Sequence, residues 1–297
     1  MSRVVRVLPD EPAVDREFDY LLSDSVVESS ECSEVRVGTV VRVDLRGRRV
    51  RGWITALDVK PQEGLTLSEV KKVSSYGPPP SLVDLANWAS GHWLGSRVHF
   101  LRTATHDRNV SSVPEKKKHQ YTKYATNNLA EEAFRRGGAV VRTSPTSDDV
   151  SIVIAAASQG RALILVPTLA RAQRLAVAVK RAGIEVALFP RDWRASASGI
   201  VTIGTRSAAW APISPIDAVL VLDEHDEAYQ QESAPTWHAR DIALERARRD
   251  GARWVITSPT PSLEALTCGA PLLTTDRATE PVSYTHLRAH ETDSYVV

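Results

Sequence analysis

The sequence has few cysteines and no long apolar run, and these two shortages exclude several classes of protein. Cys32 and Cys268 are the two cysteines among 297 residues. Thiols so far apart form neither a disulfide framework nor the closely spaced pairs of a zinc site. No stretch approaches the roughly 20 apolar residues of a membrane span, and the N-terminus lacks the apolar core and cleavage site of a secretory signal. The sequence therefore predicts a soluble cytoplasmic protein with no membrane partner.

Acidic and basic side chains are nearly balanced over the whole chain, but each sign is concentrated in its own segment near the N-terminus. The formal net charge is +1, which favours neither the presence nor the absence of a nucleic-acid partner. Residues 1–35 carry nine acidic and three basic side chains, whereas residues 36–60 carry seven basic and two acidic ones. Such a patch can neutralise phosphates by displacing condensed counterions; the alternative is a solvated turn. Four arginines lie close together in the basic segment: Arg46, Arg48, Arg49 and Arg51. Trp53 follows them, either to stack on a base or to pack in the core.

The hydrophobic pattern divides the chain into two structured parts. Residues 3–73 have the pattern of short β-strands, with a hairpin between residues 35–45 and 50–59. A helix with Ser81 as its N-cap follows. From residue 139 onward, short apolar runs alternate with helical patterns, which is typical of right-handed βαβ units and a parallel sheet. The predicted fold class is α/β: a small, mostly β N-terminal domain followed by a parallel-sheet lobe.

The apolar run at residues 219–222 is followed by a cluster of polar residues. These are Asp223, Glu224, His225 and Asp226. A buried parallel strand presents ligand-binding residues at its C-terminal end. Two carboxylates at this place suit nucleotide hydrolysis, with one holding Mg²⁺ and the other orienting or deprotonating a water. The alternative is a strand end whose polar residues cap the next helix.

Four segments in the second part resemble the PriA family of primosomal replication-restart helicases. They resemble motif Ia, the Gly-Thr-Arg motif, the motif II region and motif III of that family, and lie at residues 165–168, 203–208, 220–249 and 257–263. The resemblance implies a RecA-like helicase lobe with Asp223 and Glu224 as its catalytic pair. It also implies nucleotide contacts at His225 and Asp226, and a contact of Arg206 with the DNA backbone.

The N-terminal part shares this resemblance. Residues 18–20 and 37–43 resemble the family's 3′-end DNA-binding domain. In that family, a Phe-Asp-Tyr turn helps to form the pocket for the terminal nucleotide of a leading strand. The implied DNA-binding residues are Phe18, Asp19 and Tyr20, with Asp19 recognising the base and the arginines at 46, 48, 49 and 51 holding phosphates. From the residues alone, core packing is the better interpretation of Phe18 and Tyr20.

The family's motif I, a glycine-rich phosphate loop ending in Gly-Lys-Thr/Ser, has no intact counterpart. Residues 143–149 stand in its place and contain neither glycine nor lysine, although Thr146 is retained as a nucleotide contact. Pro145 falls where the lysine belongs, and proline supplies neither a cation nor an amide donor. Asp148 and Asp149 add negative charge and are expected to cap the next helix. We therefore expect no efficient ATP hydrolysis, and no dependable use of ATP or Mg²⁺ as cofactors.

The resemblance also predicts how the chain is divided. We expect a 3′-end DNA-binding domain at residues 1–104, a reduced linker at 105–137 and the first RecA-like helicase lobe at 138–280. Residues 281–297 depart from the family pattern and resemble translated sequencing-adapter DNA, so we expect a truncated copy of a longer protein. The zinc-binding segment and the second motor lobe of the family are not found in this sequence, so no metal site is predicted here.

The resemblance implies a role in replication restart. We expect the chain to bind branched DNA with a 3′ end at stalled or abandoned forks in the cytoplasm, in association with the nucleoid. It would then promote primosome assembly with primosome proteins and the replicative helicase loader, without helicase activity of its own. One alternative is an ATP-dependent 3′→5′ DNA helicase of superfamily 2 in its full-length form. Another is a different superfamily 2 translocase subunit, such as a restriction motor, which the N-terminal domain disfavours.

Overall fold

The computed structural model describes residues 3–30, 32, 34–61, 64, 66–115, 128–144 and 147–274. Pro145, Thr146 and the predicted tail at 281–297 lie outside these residues. The strands are β1 (Arg3–Pro9), β2 (Phe18–Leu22), β3 (Val40–Leu45), β4 (Arg48–Ala56), β5 (Lys72–Ser75), β6 (Gly138–Arg142), β7 (Ala162–Leu165), β8 (Val186–Leu188), β9 (Val201–Gly204), β10 (Ala218–Val221), β11 (Arg253–Ser258) and β12 (Leu272–Thr274). The α-helices are α1 (Asp24–Glu28), α2 (Pro80–Trp93), α3 (Arg97–Ala104), α4 (Asn128–Arg135), α5 (Val150–Ala157), α6 (Leu169–Arg181), α7 (Trp193–Ala197), α8 (Ala239–Asp250) and α9 (Leu263–Thr267), and 3₁₀ helices cover Arg206–Trp210 and Glu227–Tyr229.

Strands β1 to β5 form an antiparallel sheet in the order β2-β1-β4-β3-β5. The predicted hairpin is confirmed as β3 and β4, although both strands are shorter than predicted. Its turn consists of Arg46 and Gly47, whose φ angles of 50° and 78° are typical of the type I′ turns that match the twist of paired strands. The register places Val43 opposite Val50. This geometry directs alternate side chains to the core and to the solvent.

Helix α2 begins two residues earlier than predicted, and its N-cap is Pro79 rather than Ser81. The helix starts at Pro80, where a residue without an N–H suits the first turn. The hydroxyl of Ser81 instead lies 2.8 Å from the hydroxyl of Ser214 in the second part of the chain. The predicted apolar face of the helix is buried at Leu82, Leu85, Ala86 and Ala89.

Strands β6 to β12 form a parallel sheet in the order β12-β6-β11-β10-β7-β9-β8. Strands β7, β9 and β10 are buried along their whole length, which explains why their sequences are continuous apolar runs. The fold class predicted from the sequence is therefore confirmed, with a mostly β N-terminal domain followed by a parallel-sheet lobe. The three-residue edge strands β8 and β12 were not predicted.

One hydrophobic cluster joins the N-terminal sheet to the face of the parallel sheet that α8 covers. The buried rings of Phe100 and Trp210 have centroids 5.2 Å apart. Trp193 donates its indole N–H to the carbonyl oxygen of Ala104 at 2.9 Å. The two parts of the chain are thus packed through a continuous core. Of the helices in the described ranges, none has the length and apolar character needed to cross a membrane.

Candidate functional sites

A cavity of about 490 Å³ lies between β2 and the tip of the β3–β4 hairpin. Residues 18–20 line it from one side, and Asp44 and Arg46 line it from the other. The structure therefore brings the predicted DNA-binding residues of β2 together with one of the four predicted arginines. The segment before β5 brings these walls together, because Leu21 of β2 exchanges backbone hydrogen bonds with Ser68 and Val70, and the amide of Lys71 donates to the carbonyl oxygen of Arg42 on β3.

Asp19 is fixed in the cavity wall by a paired contact with Arg6. The two residues are cross-strand neighbours on β2 and β1. Arg6 donates from Nε to Oδ1 at 2.8 Å and from Nη2 to Oδ2 at 3.3 Å. This hydrogen bonding raises the pKa of Arg6. A carboxylate held in this way keeps lone pairs that can accept hydrogen bonds from a ligand.

Phe18 and Tyr20 have different surroundings. Tyr20 is only 4% exposed, and its hydroxyl donates to the carbonyl oxygen of Asp44 at 3.2 Å. Burial, together with the charge of Asp44, raises the pKa of Tyr20. Phe18 is half-buried, and the Arg16 guanidinium lies 5.6 Å from its ring centroid. Tyr20 thus contributes to the core, whereas the ring of Phe18 retains an accessible part.

The four predicted arginines are not equivalent. Arg46, Arg48 and Arg49 are exposed. Arg51 donates to Asp10 at 2.7 Å and lies 5.4 Å from the ring of Trp53.

Trp53 itself is fully buried in the core of the N-terminal domain. Its indole N–H donates to the hydroxyl of Thr105 at 2.9 Å. The interpretation of Trp53 as a base-stacking residue is therefore wrong, and the core-packing alternative is confirmed. Arg51 covers this buried ring and belongs partly to the fold.

The second candidate site lies where β6, β7 and β10 end at one edge of the parallel sheet. Asp223 follows β10, Asp149 precedes α5 and Arg171 is in the first turn of α6. Arg171 donates to Asp149 from Nη2 at 2.6 Å and from Nε at 3.0 Å, and it also donates from Nη1 to the carboxylate of Asp223. Burial lowers the pKa of Arg171, but the hydrogen bonds to Asp223 and Asp149 outweigh this effect and raise it overall.

The segment that replaces the glycine-rich loop makes local contacts of its own. The amide of Ser147 donates to the carbonyl oxygen of Ser144 at 2.9 Å. The amide of Val150 donates to Oδ1 of Asp148 at 3.1 Å, so this aspartate caps α5 as predicted. Asp149 makes no side-chain cap contact, because its carboxylate is turned to Arg171. The expectation that both aspartates cap the helix is correct for one of them only.

Glu224 has no exposed surface, and both its carboxylate oxygens accept hydrogen bonds. Oε1 accepts from the amide of Ser262 at 2.7 Å. Oε2 accepts from the Ser262 hydroxyl at 2.9 Å and from Nη1 of Arg240 at 2.8 Å. Burial lowers the pKa of Arg240, but the nearby Asp241 and Glu224 raise it overall. The carboxylate therefore links the segment after β10 to the segment after β11.

The remaining predicted residues of this region shape the loop after β10. His225 is exposed, and its Nδ1 lies 2.8 Å from the hydroxyl of Ser258. Asp226 accepts a hydrogen bond from the amide of Ala228 at 2.8 Å and so begins a 3₁₀ helix. Arg206 donates to the carbonyl oxygen of Gln230 at 2.6 Å. Their predicted contacts with nucleotide and DNA stay predictions, and Thr146 lies outside the described residues.

The described part of the chain contains no evident metal site. There, no three histidine, cysteine, aspartate or glutamate side chains are grouped so that they could hold a metal ion.

Comparison with known proteins agrees with the resemblance in the sequence. Residues 6–105 match the model of the PriA 3′DNA-binding domain (3′BD). The replication restart protein PriA of Rickettsia prowazekii is 26% identical over 84% of this chain. Over most of its length the chain is therefore similar to replication restart proteins named PriA. Those of Chlamydia pneumoniae and Bacillus subtilis are 44% and 33% identical over 26% and 30% of it.

The match to PriA proteins is partial in length. The chain spans 42% of the Rickettsia protein, and the matched segments cover 11% of the Chlamydia and Bacillus proteins. The matched 3′DNA-binding domain contains the whole cavity wall formed by residues 18–20 and Arg46.

Two residues of these sites were missed by reasoning from the sequence. Arg6 pairs with Asp19 because of the β1–β2 register, which no local pattern reveals. Arg171 lies three residues after Thr168, the N-cap of α6. Arg171 lies in the first turn of a helix that follows a parallel strand. The N-termini of such helices lie at the edge of the sheet where ligands bind, so this position could have been recognised from the sequence.

Proposed function

We propose that this chain recognises a free 3′ end of DNA at a replication fork and thereby acts in replication restart. The cavity beside Asp19, within the segment that matches the PriA 3′DNA-binding domain, is the observation that carries the proposal. Stalled or abandoned forks are the branched DNA that offers such an end. Primosome proteins and the loader of the replicative helicase would then be recruited to the bound fork.

The side chains around the cavity suit a terminal nucleotide. The Asp19 carboxylate, positioned by Arg6, accepts hydrogen bonds from donors on the base or sugar. The accessible part of Phe18 provides an apolar surface against which a base can stack. Arg46 at the rim, with Arg48 and Arg49 beyond it, neutralises phosphates.

We propose further that the parallel-sheet lobe acts as a scaffold rather than as an ATP-driven motor. The described residues in place of the phosphate loop do not fit Mg²⁺·ATP. Asp148 and Asp149 would repel a triphosphate, and the amides of Ser147 and Val150 already have acceptors. Arg171, the cation that contacts Asp149 and Asp223, is engaged by both carboxylates.

The alternative, an ATP-dependent 3′→5′ helicase in the full-length protein, has one observation in its favour. Asp223 follows a parallel strand and its side chain is 25% exposed, as a Mg²⁺ ligand would require. For this activity Asp223 must leave Arg171, and Glu224 must leave Arg240 and Ser262. DNA-stimulated ATP hydrolysis by the full-length protein would favour the helicase over the scaffold.

The proposal is tested with two forks that differ only at one 3′ terminus, a free hydroxyl or a phosphate. We expect the chain to prefer the hydroxyl fork in fluorescence anisotropy, and Asp19→Ala to lose about 10- to 150-fold in affinity for it, because a hydrogen bond to a charged group contributes about 1.5–3 kcal/mol. Asp84→Ala, which alters an exposed aspartate on α2 of the same domain, serves as the control. Equal affinity of the parent chain for both forks, or no loss with Asp19→Ala, would contradict the proposal.

A further inference from the structure

The solvent face of strands β3 to β5 carries a concentration of basic side chains outside the cavity. Arg42 on β3 lies opposite Arg51 on β4 and opposite Lys72 on β5. The three side chains thus form one row across three neighbouring strands. Since neighbouring strands are about 4.8 Å apart, this row extends over roughly 10 Å. We call this row, together with Arg49 and Lys71, the basic face.

The basic face contains charges that nothing in the described chain neutralises. Arg51 is paired with Asp10 at 2.7 Å. Asp44 lies 3.5 Å from Lys71 and 3.9 Å from Arg49. Arg42 and Lys72 are exposed and form no ion pair with any described residue.

Arg42 and Lys72 make no stabilising ion pair within the described part of the fold. Like charges directly opposite each other on adjacent strands destabilise a sheet. The hydrophobic side of β3, with Val41 and Val43 fully buried, already fixes the register without any cation on the other side. A polyanion bound to this face would offset the repulsion by placing phosphates between the cations.

The basic face is continuous with the cavity. Asp44 and Arg46 line the cavity, and Asp44 also contacts Lys71, which is adjacent in sequence to Lys72. A strand whose end lies beside Asp19 would meet Arg42 and Lys72 if it left the cavity over the hairpin.

We propose that the basic face binds the phosphate backbone of the DNA adjoining the 3′ terminus. This inference rests on the proposed function and adds a second contact surface to it. Single-stranded and duplex DNA present the same phosphate chemistry, so the test includes both.

The test uses the double variant Arg42→Gln/Lys72→Gln. It measures how the affinity of this variant for DNA depends on the salt concentration. Both side chains are exposed and unpaired among the described residues, so the variant is expected to keep the thermal stability of the parent. Arg174→Gln/Arg181→Gln removes the same charge from the exposed side of α6 and is the matched control. Binding is measured for a recessed 3′-hydroxyl duplex, a 3′-phosphate duplex and a single strand.

We expect the slope of log K against log[salt] to become less negative by about 1.8 for duplex DNA, or by about 1.4 if the adjoining DNA is single-stranded, because two phosphate contacts are lost. The preference for a 3′-hydroxyl over a 3′-phosphate should stay as in the parent. If the slope of the double variant equals that of the parent, or if the slope of the control changes by the same amount, the proposal for the basic face is contradicted. The proposed function still stands in that case, provided that the parent chain prefers the 3′-hydroxyl end. If the parent chain binds the 3′-hydroxyl and 3′-phosphate duplexes equally well, the proposed function itself is contradicted.

Discussion

The guanidinium of Arg171 lies between two carboxylates that the topology brings to one edge of the parallel sheet. Asp149 and Asp223 are 14% and 25% exposed, so their repulsion is only partly screened by water. In a nucleotide-binding lobe, a bound metal ion and a lysine supply positive charge at such an edge. Here Arg171 places its positive charge between the two carboxylates.

Replacing Arg171 should destabilise the lobe. We expect Arg171→Gln to lower the free energy of unfolding by about 1–3 kcal/mol, because the change leaves two partly buried carboxylates without their partner. Urea denaturation measures the loss. Arg174→Gln, one turn further along the exposed side of α6, should change stability by less than about 0.5 kcal/mol. Equal stability of the two variants would show that the Arg171 contacts contribute nothing.

At the scale of single elements, helix α8 begins with an unusual cap. His238 precedes Ala239, and its Nδ1 accepts a hydrogen bond from the amide of Arg240 at 3.2 Å. Only the neutral imidazole can accept at Nδ1. Burial, followed by the charge of Arg240, lowers the pKa of His238 below its usual 6.5. The helix that carries Arg240 toward Glu224 is therefore sensitive to acid.

The cap predicts a specific pH dependence of stability. The unfolded chain takes up the His238 proton at a higher pH than the folded chain, so stability is retained above about pH 6.5 and falls as the pH drops through the lowered pKa. We expect the parent chain to lose about 1 kcal/mol more than His238→Asn between pH ~7.5 and pH ~5, since asparagine caps without titrating. Thermal unfolding at the two pH values measures this difference.

A control and a contradicting result follow from the same reasoning. His92→Asn alters an exposed histidine on α2 and should keep the pH dependence of the parent. If His238→Asn and the parent lose stability in parallel on acidification, the neutral cap is not the source of the effect.

Strong periodic patterns made most of the elements predictable from the sequence. Strands such as β10 are continuous apolar runs because both faces of the parallel sheet are covered. Edge strands β8 and β12 have three residues each, too few for a pattern to indicate a strand. The start of α2 was misplaced because Ser81 has a good cap side chain, whereas Pro80 fits the first turn and the Ser81 hydroxyl has a distant partner in Ser214.

At the scale of the whole molecule, the N-terminal sheet and the parallel-sheet lobe share one hydrophobic cluster. Phe100 of α3 is fully buried against Trp210 of the lobe. Arg246 of α8 is buried beside this region and donates to the carbonyl oxygens of Ala209 and Ile213 at 2.8 and 2.5 Å. Burial lowers the pKa of Arg246 to about 10, so the side chain remains charged at neutral pH.

The shared core predicts that both parts unfold together. We expect Phe100→Ala to lower the free energy of unfolding by about 3–5 kcal/mol, because it leaves a cavity between them. Circular dichroism and tryptophan fluorescence should then give one coincident transition in the variant as in the parent. Leu263→Ala, at a residue that is 77% exposed, should have little effect. Two separate transitions in the parent chain would contradict the shared core.

The candidate sites were less predictable than the fold because they depend on distant contacts. Asp19, Asp149 and Asp223 were identified from the sequence. Their partners Arg6 and Arg171 were not, since a cross-strand register and the convergence of three strand ends are needed to bring them together. The core position of Trp53 likewise depends on α3, whose Thr105 accepts its N–H.

The central claim is that the lobe carries its own positive charge where a nucleotide-driven motor would bind Mg²⁺·ATP. Isothermal titration calorimetry, with ATP titrated into the purified chain in the presence of Mg²⁺, tests it most directly. We predict no saturable binding up to about 1 mM ATP, equivalent to less than about 4 kcal/mol of binding free energy, with or without forked DNA. Saturable, Mg²⁺-dependent binding that Asp223→Asn weakens would contradict the claim.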